Sequence, residues 1–279
     1  LWARKSLILR RKKESGLAKK SLQKALLYDP KNPQYHYFLG SLEQDLGHHE
    51  KAYEHYHKGN SLDKTSSYKL RSDISEEPHI VCLKTGSKYS YQYVNRLYKS
   101  VSRFCSYQLK FTCLTDSPLG LDKRINVVPI TQKDLSGWWS KMLLFNNDCH
   151  GIEGPFLYLD IDQIIIDWID PFLLVKSPFT MMRDEFEITF NSSVMMIDPK
   201  KTAGFFEEFD PSLCKDYQGD QDFITEKRPR SMLWSDNWIV SYKHGGSLFP
   251  PLGYRIVCFH GVTHPHHVAR NWWVKKYWR

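Results

Sequence analysis

"FLYLDIDQIIID", residues 156–167, decides the fold. Four apolar residues, Phe156 to Leu159, run without a polar interruption. That pattern belongs to a strand covered on both faces rather than on one. The run ends in Asp160, skips one residue, gives Asp162, and then resumes as three isoleucines at 164–166. If the extended conformation continues past Leu159, side-chain alternation puts Asp160 and Asp162 on the same side. Two carboxylates placed together attract a hard divalent cation such as Mg²⁺ or Mn²⁺. Such an ion takes oxygen ligands and keeps positions open for phosphate oxygens.

The surrounding sequence places this strand in a larger pattern. From His79 onward, strands alternate with helices: "HIVCLK" as a short buried strand, then "SYQYVNRLYKSVSRF" with helical spacing. "LKFTCLTD" and "INVVPI" read as strands, "WWSKMLLFNND" as a helix, and "GPFLYLDID" as a strand again. This alternation predicts an α/β domain over 79–279 with a mainly parallel sheet. Ligands of such sheets sit beyond the carboxyl ends of the strands, where Lys84, Asp116 and Asp160 all fall.

Residues 1–65 follow a different period. Ala18, Leu22 and Ala25 share a helix face, "YDPKNP" breaks the chain, and "YHYFLGSLEQDLG" and "HEKAYEHYHKGNSLD" form a second helix pair. Ala18, Leu22, Ala25 and Asp29 map at one fixed offset onto Ala52, Tyr56, Gly59 and Asp63, and Leu39-Gly40 precedes Glu43. The segment resembles about one and a half tetratricopeptide repeats, in which small residues let paired helices approach closely. Such arrays need about three units for independent stability, so further repeats are expected before Leu1, or a packing partner in the next domain. Residues 66–78, "SSYKLRSDISEEP", are polar, end in proline and read as the linker.

Composition narrows the classes. The 279 residues allow one large domain or a large and a small one, and no run of about 18 apolar residues marks a membrane span. There is no signal-peptide pattern. Six scattered cysteines lack any C-x-x-C pair, which argues against a structural zinc site or a disulfide framework and fits a reducing cytoplasm. The net charge is +8, yet residues 1–30 carry nine Lys/Arg against Glu14 and Asp29, leaving about +1 for the remainder. Nucleic-acid binding would spread basic charge over the body, so it is not expected. The basic N-terminal face is either solvated or meets anionic lipid headgroups or an acidic partner.

The chain from His79 to His266 resembles the glycosyltransferases of GT-A fold, more narrowly glycosyltransferase family eight. Four segments carry the resemblance in order: "GPFLYLDIDQIIIDWIDPFL", "FNSSVMMIDP" with Ser193 in place of Gly, "GDQDFIT", and "FHGVTHPH". In the last, Cys258 stands where the family has its metal-binding His, His260 adjoins Gly261, and His264 takes the place of a phosphate-contacting Lys. The implied fold class is α/β: a GT-A nucleotide-diphospho-sugar transferase fold, preceded by a small all-α tetratricopeptide-like segment.

The resemblance also implies a reaction: metal-dependent transfer of a sugar from a nucleotide diphosphate sugar, a UDP-sugar in the family, to an acceptor hydroxyl with retention. Asp160, Asp162 and, through a shifted register, His260 would hold Mn²⁺ or Mg²⁺. Lys141 would be the cation supplied by the preceding helix. Leu83, Lys84, Thr85 and Gly86 would approach base and ribose, with Tyr89 stacking on the base. Asp116 either joins that pocket or caps a turn. Asn191, Ser192 and Asp184 would lie near the donor sugar, and Asp220 and Gln221 nearest the anomeric carbon. Gly261 and His264, or else His266, would face phosphate.

The acceptor is a carbohydrate, a lipid-linked sugar or a protein, and the helical repeats offer a surface for a protein partner. The C-terminal "ARNWWVKKYWR" either packs its tryptophans on the domain, which is preferred here, or lies at a membrane interface. Cytoplasmic placement, at most peripheral at the inner membrane face, follows. The competing reading is a non-catalytic scaffold with a degenerate nucleotide-binding domain, favoured by Cys258 and His264. A nucleotidyltransferase lacks support, because no Gly/Arg/Lys-rich loop follows the first strand.

Overall fold

The computed structural model describes residues 77–279 apart from 132–134, 147–148, 184–189, 229–230, 236–237, 246–248 and 252. Before that it describes 14–32 and scattered positions up to 62. The expected linker lies almost entirely outside the described residues, as does Asp184. The chain divides into two compact units, Leu1–Tyr68 and Lys69–Arg279.

In the first unit, α1 (Ser15–Tyr28) buries Ala18, Leu22 and Ala25, spaced at i, i+4 and i+7. Leu39 and Leu42 complete this small core, with Trp2, Leu9, Leu26 and Tyr35 packed against it. Pro30 follows the helix and cannot continue it. Glu43 is buried at 1% exposure, which requires partners. Lys19 supplies one at 2.6 Å and His48 another at 2.8 Å.

The second unit is built on a seven-stranded sheet of order β3-β2-β1-β4-β7-β6-β8. Its strands are β1 (His79–Lys84), β2 (Lys110–Thr115), β3 (Asn126–Pro129), β4 (Phe156–Leu159), β6 (Phe179–Arg183), β7 (Phe190–Ile197) and β8 (Met232–Leu233). Every neighbouring pair is parallel except those made by β7, which runs against both β4 and β6. The continuous apolar run of β4 is buried at all four positions, as a strand between two covered faces must be.

A three-stranded sheet joins β5 (Ile164–Ile165), β10 (Ile256–Cys258) and β9 (Ile239–Ser241) in the order β5-β10-β9. The isoleucine run after the carboxylates therefore leaves the main sheet for a second one. Helix α2 (Tyr91–Arg103) buries Tyr93, Val94, Leu97, Ser100 and Val101, one apolar stripe. "GWWSKMLLF" folds as a 3-10 helix, Gly137–Phe145, rather than an α-helix. Helix α3 spans Asp220–Lys227.

The C-terminal aromatic segment packs on the domain. Helix α4 (Trp272–Tyr277) buries Trp273 and Val274, and Trp278 lies edge-on to Tyr93 with the Arg96 guanidinium 4.0 Å from its ring centroid. Ser100 Oγ donates to the Tyr277 carbonyl at 2.9 Å. Among the described residues no helix is long and apolar enough to cross a membrane.

Candidate active site

The strand ends converge at one edge of the sheet. Pairing of His79 with Phe156 and Val81 with Tyr158 sets Asp160 level with Leu83, one position before Lys84. β4 ends at Leu159 and the chain turns at Ile161–Asp162, where Gln163 N–H donates to the Asp160 carbonyl at 3.2 Å. The two carboxylates are neighbours through a turn. The alternation expected from sequence required an extended chain, and the strand stops first.

Two side chains hold the Asp160 carboxylate, and one of them ties it to Ser192 and Asp220. Tyr158, two residues back on the same strand face, donates its hydroxyl to Oδ1 at 2.6 Å. Lys141 Nζ, from the 3-10 helix, lies 3.0 Å from Oδ2 and also donates to Ser192 Oγ at 3.0 Å. Asp220, the first residue of α3, accepts from Ser192 Oγ at 2.5 Å and stands 3.9 Å from Lys141 Nζ. Lys141 is 8% exposed and Asp220 4%, so a buried ammonium bridges two carboxylates.

Burial pulls the Lys141 ammonium down, but Asp160 and Asp220 outweigh it and raise it above its ordinary value. Burial raises Asp160; Lys141 opposes the rise and the neighbouring Asp162 adds to it. Tyr158 is pushed well up, by burial first and then by Asp160.

Asp162 opens a second cluster. Its Oδ2 accepts from Tyr89 OH at 3.0 Å and lies 3.6 Å from His264 Nδ1. Tyr89 OH is also 3.3 Å from His264 Nδ1, and the two rings meet edge-on. Tyr93 OH bonds His266 Nδ1, and the rings of His264, His266 and His267 lie beside one another. Burial, then the two neighbouring imidazoles, lower His266 below its ordinary value. Burial raises Tyr89, and Asp162 adds to this.

The remaining expected residues fall around these two clusters. Gly86, at φ +64, is in the left-handed region that glycine enters at little cost, and its N–H donates to Asp116 Oδ2 at 2.7 Å. Asp116 thereby ties the loop after β1 to the end of β2. Lys84 Nζ donates to the Gly86 carbonyl at 3.2 Å, and Thr85 Oγ1 lies 3.4 Å from Ser140 Oγ. Leu83 is nearly buried at the end of β1.

Asn191 accepts from Ser193 N–H at 2.9 Å, and its Nδ2 lies 3.4 Å from His260 Nδ1. Gly261 adjoins Lys243, whose Nζ would lie 3.5 Å from a Cβ added there. Gln221 is half-buried and its carbonyl accepts from Thr225 Oγ1 at 2.7 Å. Cys258 is fully buried on β10 with Sγ 3.8 Å from Met182 Sδ, so that position faces core.

Tyr158, Ser140 and Gln163 were not singled out from sequence. Strand alternation from Asp160 would have found Tyr158. Gln163 is 1% exposed with neither amide atom hydrogen-bonded among the described residues, a fact no local pattern announces.

Residues 1–32 and 33–66 match the tetratricopeptide repeat model, two units where the sequence pattern showed about one and a half. No curated protein matches the chain by sequence. Among solved structures, two of the glycosyltransferase GlyE of Streptococcus pneumoniae TIGR4 are similar. The apo form has 15% identity and TM-score 0.52, covering 68% of this chain and 56% of that one. The other has 16% identity and TM-score 0.54 over the same shares. The apo structure of the bifunctional glycosyltransferase WbbM has 11% identity and TM-score 0.50, covering 82% of this chain and 59% of that one. This chain thus spans little more than half the length of these proteins. The likeness shows the fold: a GT-A α/β unit with a mostly parallel sheet, preceded by a tetratricopeptide repeat segment.

Proposed function

We propose that the chain is a metal-dependent glycosyltransferase, related to family eight, that moves a sugar from a UDP-sugar to an acceptor hydroxyl with retention. One observation carries this reading. Lys141, Asp160, Ser192 and Asp220 come from four separate elements and meet within hydrogen-bond or ion-pair distance at the carboxyl end of the parallel strands. That edge is where sheets of this architecture take ligands.

The donor set fits a divalent ion. Asp160 and Asp162 are adjacent hard carboxylates, with His264 beside Asp162 and His260 beside Asn191. Among the described residues no group of three or more acidic, His or Cys side chains is placed to hold a metal ion, so the remaining ligands would have to come from the donor phosphates. When bound, it would neutralise charge developing on the leaving diphosphate.

The chain's own groups do the rest. Lys141 adds a fixed positive charge and holds the Asp160 carboxylate in place. Ser192 orients Asp220 toward the donor sugar, with Gln221 next to it. Tyr89 and the loop from Lys84 to Gly86, braced by Asp116, form the nucleotide side. A cytoplasmic setting is part of the proposal; the buried thiols of Cys82, Cys105, Cys113 and Cys258 support it.

Purified protein should gain thermal stability with UDP plus Mn²⁺, and should release nucleotide slowly from one UDP-sugar in a manner abolished by chelator. Asp160→Ala and Asp162→Ala should lose both effects, and comparing His260→Ala with His264→Ala for Mn²⁺ affinity identifies the third ligand. No release from UDP-, GDP- or dTDP-sugars, together with no metal-dependent nucleotide binding by calorimetry, would overturn the reading. It would favour the scaffold alternative, to which the core position of Cys258 also points.

A further inference from the structure

We propose that Trp138 is the apolar platform on which the acceptor carbohydrate rests; this deepens the glycosyltransferase reading and depends on it. Adjacent tryptophans on the 3-10 helix divide their roles. Trp139 is 9% exposed and stacks on Phe209 at 5.6 Å, so it belongs to the core. Trp138 is 57% exposed. The other exposed indoles are each set edge-on to a second ring, Trp168 to Phe104 and Trp272 to Phe249. Trp138 has no such ring contact and no hydrogen-bond acceptor for its indole N–H among the described residues.

Its position ties it to the site. In a 3-10 helix residues i and i+3 lie on one face, so Trp138 is on the same side as Lys141, whose ammonium joins Asp160 and Asp220. Across from it stands Gly219, the extended residue immediately before Asp220, where an added Cβ would lie 3.4 Å from Trp138 Nε1. The pyrrole edge of the indole thus covers the start of the helix that presents Asp220. Tyr89 and Asp116 belong to the loops after β1 and β2, which the nucleotide reading already uses, whereas Trp138 belongs to the 3-10 helix beside the start of α3.

A sugar ring has one face of C–H groups and a rim of hydroxyls. An exposed indole matches the C–H face, whereas a wholly polar wall would match only the rim. Binding sites for such ligands combine an apolar surface with a few placed polar groups. An indole presents a large, rigid face at small entropic cost.

The test uses the full chain labelled at its indole nitrogens, with the Trp138 N–H signal assigned by its loss in Trp138→Phe. Methyl β-glycosides of glucose, galactose, xylose and N-acetylglucosamine, and their disaccharides, are titrated in. At least one should shift the Trp138 signal. Trp138→Ala should weaken that glycoside roughly three- to tenfold, while Trp138→Tyr retains most of the affinity. In turnover, Trp138→Ala should raise the acceptor KM more than it lowers donor hydrolysis.

The proposal is overturned if no glycoside moves the signal, if Trp138→Ala binds as well as wild type, or if UDP alone moves the signal and glycosides do not. An equal loss of transfer and donor hydrolysis would likewise overturn it, making Trp138 a structural wall. Failure of the glycosyltransferase reading is distinct: wild type would then release no nucleotide from any donor, whatever the indole reports.

Discussion

Replacing Lys141 with Met tests whether the buried charges act as one unit. The substitution keeps most of the side-chain volume and removes the ammonium. Lys141 is 8% exposed, lies 3.0 Å from Asp160 Oδ2 and 3.9 Å from Asp220 Oδ2, and donates to Ser192 Oγ at 3.0 Å. Without it, the buried Asp220 and the partly buried Asp160 are left with no counter-charge between them. Removing one partner of a buried pair in this way costs about 3–5 kcal/mol.

At about 2–4 °C per kcal/mol for a domain of this size, the melting temperature should fall by roughly 6–20 °C. Urea unfolding followed by tryptophan fluorescence reads the same loss as a lower midpoint with an unchanged slope. Lys141→Met combined with Asp220→Asn should recover part of the loss, because the second change removes a carboxylate the first left unpaired. Lys141→Arg should not restore wild-type stability, since the planar fork does not fit a site shaped for a compact ammonium. A loss below about 1 kcal/mol in Lys141→Met, the value of an exposed pair, would refute the buried bridge.

Two further outcomes concern stability alone. His79, hydrogen-bonded to Thr112 Oγ1 at 2.7 Å, is lowered to about 4 by burial and by the charge of Lys110. The unfolded chain takes up that proton first, so stability should fall as pH drops from about 6.5 to about 4; a His79→Gln variant should lack that part of the acid slope in denaturant melts at stepped pH. Gly120 sits at φ +84, and a Cβ there would lie 2.7 Å from the Tyr91 ring. Gly120→Ala should therefore destabilise by about 1–2 kcal/mol in urea unfolding, and a neutral result would show that the turn re-forms around the methyl group.

The sequence by itself determined the kind of several elements and much of what stands at the strand ends. The unbroken apolar run from Phe156 to Leu159 could only be a strand covered on both faces, and it is buried throughout. The helical spacing of "YQYVNRLYKSVSR" reported the buried stripe of α2, because burial along one element repeats with that element's own period. Lys84, Asp116 and Asp160 were legible as strand-end groups for the same local reason.

What the tertiary structure alone decided are relations between elements. Local pattern does not show that β7 runs antiparallel between β4 and β6, that the isoleucines after Asp162 join a second sheet, or that the strand stops at Leu159 so the carboxylates meet through a turn. Nor does it show that Lys141 reaches Ser192, 51 residues away, or that His264 rather than His260 lies against Asp162. Periodicity reports how each segment meets the core. Which segments then face one another depends on strand order and register, and the charges at this site were paired by those.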